Sequence, residues 1–160
     1  NNGAVMRAWY DIVSLEIDKR ADELGLRESM ADLDALINRE RDRGIPLTRI
    51  ILAGFSQGGA VVLAHMLRQK IAVAGVIALS TYLPLADTLS QEVSLSAKNT
   101  PIFFAHGKHD PVVPYALGKL SADKLQQHGH KIDWHEYAMP HSVTAEEVDD
   151  IETWLTQRLF

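Results

Sequence analysis

Between Leu26 and Arg43 the apolar residues Leu26, Met30, Leu33, Leu36 and Ile37 recur at the three- and four-residue spacing of one helix face. Gly44 and Pro46 end the run, so an amphipathic helix is expected there. The pattern then changes period. Ile50 to Ala53 is a short continuous apolar run. It passes through a Gly-containing turn into the second apolar stretch, Ala60 to Leu67, which reads as a buried helix. Val73 to Leu79 and Ile102 to Ala105 repeat the short-run pattern of buried strands, and Ile132 to Tyr137 adds a fourth with partial alternation. Helical segments over Tyr115 to Gln127 and Val143 to Leu159 follow the last two strands.

Strands that alternate with helices of this length imply right-handed parallel crossovers, hence an α/β fold with a mainly parallel sheet and helices on both faces. Two stretches fall outside the pattern. Asn1 to Asp18 shows neither period and reads as a loop with some anchoring by Trp9, Tyr10 and Ile12. Pro84 to Pro101, rich in Ser, Thr and Asp, is the longest irregular segment and is expected to be mobile or functional.

Composition narrows the function. With 160 residues there is room for a single domain and one sizeable core. A formal charge of −5, without a stripe of Lys and Arg, gives no electrostatic footprint for nucleic acid. No apolar run reaches the ~20 residues of a spanning helix, so stable membrane insertion is not expected. The absence of cysteine removes disulfides, thiolate metal sites and a cysteine nucleophile together, and fits a reducing, cytoplasmic setting.

Covalent chemistry therefore falls to other side chains. Gly54-Phe55-Ser56-Gln57-Gly58 lies where a strand turns sharply into a helix. A serine hydroxyl needs a base to take its proton and donors to stabilise an oxyanion. A strand-to-helix elbow projects Oγ above the strand ends, while the helix N-terminus and the Gln57 N–H point at the developing charge. Gly54 and Gly58 are expected to remove side chains that would crowd this turn. Acid and base then follow in the order Ser, Asp, His. Asp110, in the loop directly after the third strand, is the natural acid; Asp87 lies in the long polar loop and Asp133 inside a strand pattern.

The chain holds seven histidines, and position chooses among them. His141 follows the fourth strand and reaches the same sheet edge as Ser56 and Asp110. His65 lies within the helix after the elbow, His128 and His130 border Gly129, His135 is in a strand, and His106 and His109 are expected to shape the Asp110 loop. The His106, His109, Asp110 spacing matches no helical ligand pair, so no metal is expected. No Gly-rich phosphate loop or dinucleotide fingerprint is present, and no cofactor is expected.

Four segments then carry a resemblance: Met6 to Ile12, Gly54 to Ala60, Leu79 to Pro84 and His106 to Pro114. In this order they resemble the carboxylesterase, phospholipase and acyl-protein thioesterase family of small α/β-hydrolases, over essentially the whole chain. The resemblance implies an α/β-hydrolase fold, hydrolysis of carboxylic esters or thioesters without a cofactor, and Ser56, Asp110 and His141 as the triad. A serine carboxylesterase acting on small to medium acyl esters is the leading expectation. Acyl-protein thioesterase or lysophospholipase activity is the near alternative, and an impaired hydrolase serving as a binding module the distant one. Leu83 is expected either to contact the acyl group or to pack as a turn, and Trp9 to form a pocket wall or a packing anchor. Family members carry further strands and a His-Gly-x-Gly-like loop before the point where this chain begins, so the N-terminal strands and a second oxyanion donor are expected to be missing. An uncovered strand edge beside Arg49 to Ala53 would then favour a homo-oligomer.

Overall fold

A computed structural model describes residues 7–11, 22–70 and 72–160. The reading of the N-terminal stretch as a loop therefore lies outside the described residues except at positions 7–11, where Tyr10 is buried and Trp9 is 49% exposed.

Four strands, β1 (Ile51–Phe55), β2 (Gly75–Leu79), β3 (Ile102–Gly107) and β4 (Ile132–Tyr137), form a parallel sheet in the order β1-β2-β3-β4. Among the described residues five α-helices accompany them: α1 (Glu23–Asp42), α2 (Gln57–Arg68), the single turn α3 (Leu89–Glu92), α4 (Tyr115–Gln127) and α5 (Ala145–Leu159). Asp22 caps α1, its side chain accepting from the Gly25 N–H, and Thr144 caps α5 through the Glu147 N–H.

Because side chains alternate across a strand, each strand feeds two cores. Leu52, Val76, Ala78, Ile102 and Phe104 pack with Val62, Leu63, Met66 and Leu67 of α2 and Ala122 and Leu125 of α4. Ile77, Phe103 and Ala105 pack on the other face with Tyr137, Met139 and Trp154 of α5. Helices thus cover both faces, as the apolar runs require. α1 lies on α2, its Leu26 against Ala60, Val61 and Ala64. That second layer explains why α2 is apolar nearly all round.

β1 is one edge of the sheet among the described residues, and Ala53 and Phe55 on its α5-side face are exposed. Its strand runs two residues further than the apolar pattern suggests, through Gly54 and Phe55, because the elbow is the end of the strand itself.

The segment 84–101 departs from expectation. It contains α3 and a 3₁₀ turn over Ser96–Asn99, and Leu85, Ala86, Leu89 and Ala97 are buried. Its polar residues mask a few inward-facing apolar ones that successive short turns aim at the core. Glu92 fastens it to two helices, accepting from Arg68 Nε at 2.5 Å and from Arg27 at 2.7 Å. Burial opposes ionisation of Glu92, but the two guanidiniums outweigh it and bring the carboxyl down to about 2.

Candidate active site

All strands being parallel, the residues that leave their C-terminal ends collect at one edge of the sheet. Ser56 follows β1, Asp110 follows β3 and His141 follows β4.

Ser56 has φ 54° and ψ −121°, a left-handed conformation that costs a non-glycine residue ~1–3 kcal/mol and marks a constrained turn. The turn is held on three sides. Ser56 N–H donates to Leu79 O at 2.9 Å, Thr81 Oγ1 donates to Ser56 O at 2.7 Å, and Ala60 N–H donates to the same carbonyl at 3.1 Å. A Cβ at Gly54 would lie 2.2 Å from the Gly58 carbonyl carbon, so glycine is required there. Gly58 does not meet the expectation of crowding: a Cβ would find only Trp9 Nε1, at 3.8 Å. The crowded neighbour is Gly59, whose Cβ would come within 2.7 Å of Thr81, because the helix packs against the loop after β2 one residue later.

Asp110 is enclosed, its side chain fully buried. Oδ1 accepts from Val112 N–H at 2.8 Å and Val113 N–H at 2.9 Å, and Oδ2 accepts from His141 Nδ1 at 2.7 Å. Burial pushes the carboxyl up, but the bonds from His141, Val113 and Val112 outweigh it and hold the group below the usual carboxylate range. The acid loop is stitched to the end of β4, Lys108 N–H donating to Tyr137 O at 2.8 Å and His109 N–H to Met139 O at 3.1 Å.

His141 retains 17% side-chain exposure, and its ring lies 4.6 Å from that of Phe55, the residue before Ser56. Among the described residues β1 and β4 are the two outer strands, yet the loop after β4 brings the imidazole back to the residue before Ser56. With Nδ1–H committed to Asp110, Nε2 is left as the proton acceptor.

Gln57 begins α2, whose first N–H groups have no intrahelical acceptor and make a positive terminus. Its side chain does something its position in the motif did not disclose. Nε2 donates to Tyr10 O at 2.6 Å, and Oε1 accepts from Trp9 N–H at 3.2 Å. Ser29 Oγ donates to Trp9 O, and the buried Tyr10 and Tyr82 hydroxyls pair at 2.7 Å. Trp9 is thus held beside the elbow, where with Arg7, Glu28, Ser29, Asp32 and Gln57 it lines a cavity of about 640 Å³.

Leu83 is only 1% exposed and packs in the core with α2 and α4; its N–H is held by Ser121 Oγ at 2.9 Å. Its burial matches the packed-turn alternative. The loop around it is bracketed by left-handed Ser80 (φ 45°) and Leu85 (φ 51°), which no local pattern signals. No group of three or more metal-ligating side chains is found among the described residues, and no described helix is long and apolar enough to cross a membrane.

Residues 1–159 match the model of the phospholipase/carboxylesterase family. The chain is 41% identical to acyl-protein thioesterase 1 of Cryptococcus neoformans var. neoformans, over 99% of this chain and 74% of that protein. Among solved structures it is similar to Arabidopsis thaliana SOBER1, with a TM-score of 0.91 and 30% identity over 99% of this chain and 77% of that one. It is also similar to Zea mays acyl-protein thioesterase 2, with a TM-score of 0.84 and 28% identity over 96% and 73%. An α/β-hydrolase sheet with the serine elbow, acid loop and histidine loop at one edge, matched along its length by these proteins, belongs to the phospholipase/carboxylesterase family of hydrolases.

Proposed function

We propose that this chain carries the nucleophile, acid and base of a serine hydrolase that cleaves acyl thioesters, with an S-acylated protein or peptide as substrate. The observation that supports it most is the Asp110–His141 pair, bonded at 2.7 Å and packed against the residue that precedes Ser56. In this reading His141 Nε2 takes the Ser56 proton as Oγ attacks the acyl carbonyl, and the Gln57 N–H faces the oxyanion. The thiol leaves with that proton, and the acyl-enzyme is released by a water that His141 activates in the same way. Asp110 holds the imidazole in its Nδ1–H tautomer and stabilises the charge that forms.

The sequence led first to a carboxylesterase for small and medium esters. The relatives named acyl-protein thioesterase favour the thioester alternative, while the family description keeps oxyester hydrolysis as the second reading. Half-exposed Trp9, held beside the elbow by the Gln57 side chain, is the candidate substrate contact in either case, although Ser56, Asp110 and His141 do not line the cavity that Trp9 borders.

The deciding experiment compares kcat/KM for an S-acyl and an O-acyl substrate with the same acyl chain and matched leaving-group size, across several chain lengths. The proposal expects the thioester to be preferred and Ser56→Ala to abolish both activities. Equal or reversed preference would move the assignment to a carboxylesterase, and activity surviving in Ser56→Ala would end the serine mechanism.

A further inference from the structure

Asp110 has two imidazole neighbours. His141 Nδ1 lies 2.7 Å from Oδ2, and His106 Nε2 lies 3.7 Å from the same oxygen. His106 is fully buried near the end of β3, and its hydrogen bonding identifies its tautomer. Nε2 is 2.9 Å from the Val113 carbonyl, which can only accept, so Nε2 carries the proton. Nδ1 is buried without a partner and pressed onto α4, where a Cβ at Gly118 would lie 2.3 Å from it. A second proton on Nδ1 would therefore have no acceptor, and burial pushes the imidazole below the ordinary histidine range.

We propose that His106 is a positioning residue for the acid–base pair: a permanently neutral Nε2–H imidazole that closes the 107–113 turn around Asp110 and turns its positive end toward Oδ2. The inference rests on the assignment of Asp110 and His141 as acid and base. The turn needs such a closure because its two other ties to Asp110, the Val112 and Val113 N–H groups, come from the segment that Val113 O anchors to β3. Other groups around His106 leave its charge state to these contacts. Tyr115 on α4 and Trp134 on β4 present rings, at 6.3 and 6.4 Å. Glu136, its register partner on β4, is engaged by Lys108 and Tyr115. Asp110 and His141 are the charged or titratable groups that act on it.

The sign of the effect follows from the dipole. A positive end facing the pair stabilises the Asp110 carboxylate and opposes proton uptake by His141, so its removal lets the pair bind a proton more readily. Activity that needs a neutral His141 is then lost at a higher pH on acidification.

The test has two arms. In the first, nitrogen-resolved NMR of histidine-labelled protein should show His106 as the neutral Nε2–H tautomer, still neutral at pH 6; an Nδ1–H tautomer or an imidazolium at that pH would overturn the proposal. This arm does not depend on catalysis, so it separates failure of the proposal from failure of the triad assignment. In the second, kcat/KM is followed from pH 5 to 9 for His106→Leu, His106→Gln and Gly118→Ala. The Gln amide nitrogen can replace Nε2–H, Leu cannot, and the alanine methyl displaces the ring. Leu and the Gly118 variant should lower kcat more than they change KM and move the acid limb up by roughly half a pH unit, the scale of one dipole acting on a nearby charge. Gln should restore the limb. An unmoved limb in the Leu and Gly118 variants, or Gln behaving as Leu does, would overturn the proposal; if Leu does not fold, the Gly118 and Gln variants decide.

Discussion

Replacing Asp110 with Asn changes one atom and tests the hydrogen-bond geometry directly. Oδ1 accepts two backbone N–H groups, from Val112 and Val113, and no amide NH₂ can take its place there. The Asn oxygen is therefore held by those donors, and its NH₂ is forced toward His141. Nδ1 must then accept rather than donate, so the neutral imidazole carries its proton on Nε2, the nitrogen assigned to take the Ser56 proton. A base already holding the proton it should remove is inactive; in a Ser-His-Asp arrangement this error lowers kcat about 10⁴-fold, or about 5 kcal/mol of barrier. The fold should survive, since both backbone bonds persist, although all three bonds to the side chain lose the carboxylate charge, at a cost of about 1–3 kcal/mol. The assay is kcat/KM for an activated ester at pH 8, with Tm measured on the same sample. Activity within tenfold of wild type, in a protein that melts normally, would refute the reasoning.

Three further outcomes are expected. Ser56→Gly and Ser56→Ala should both be inactive, but the glycine variant should melt higher than the alanine variant, because only alanine keeps the Cβ that makes φ 54° costly; equal Tm values would remove the strain. Glu147, in the first turn of α5, is fully buried with neither carboxylate oxygen bonded, and burial pushes it up to about 7. Its folded value lies above the unfolded one, so the folded state favours the protonated form and stability falls as pH rises through that interval. Glu147→Gln should therefore raise Tm at pH 8.5 and leave it nearly unchanged at pH 4.5, and a gap that did not depend on pH would contradict this. Finally, the β1 edge and the exposed Ala53 and Phe55 predict concentration-dependent self-association of the 160-residue chain, weakened by Ala53→Lys and visible by sedimentation; a concentration-independent monomer would contradict it.

The parts that could be read from the sequence are those in which a local pattern has one structural solution. A continuous apolar run marks β3 to within two residues of its end, a partly alternating one marks β4, and the helices after them follow from periodicity. Ser56, Asp110 and His141 could be placed at one edge because each follows a parallel strand, and a parallel sheet puts all such loops on the same side. What could not be read depends on pairs far apart in the chain. Gln57 clamping the Trp9–Tyr10 backbone, Tyr10 meeting Tyr82, and Phe55 meeting His141 join positions separated by tens of residues, with no spacing rule between them. Glu147 shows the limit differently. The Thr144-x-x-Glu147 pattern signals a helix start, yet nothing local reveals that this glutamate turns inward. Segment 84–101 is obscured for a related reason: its buried leucines and alanines are too sparse to set a period, and charged bonds from α1 and α2 to Glu92 fix its path.

The central claim is that Ser56 is a nucleophile made reactive by His141 and Asp110. A fluorophosphonate reagent followed by peptide mass mapping tests it most directly, since the reagent bonds only to an activated hydroxyl and records which one. The account predicts a single phosphonylated site at Ser56, abolished in Ser56→Ala and slowed by orders of magnitude in His141→Ala. Absence of labelling in the folded protein, labelling at another serine, or a rate unaffected by loss of His141 would contradict it.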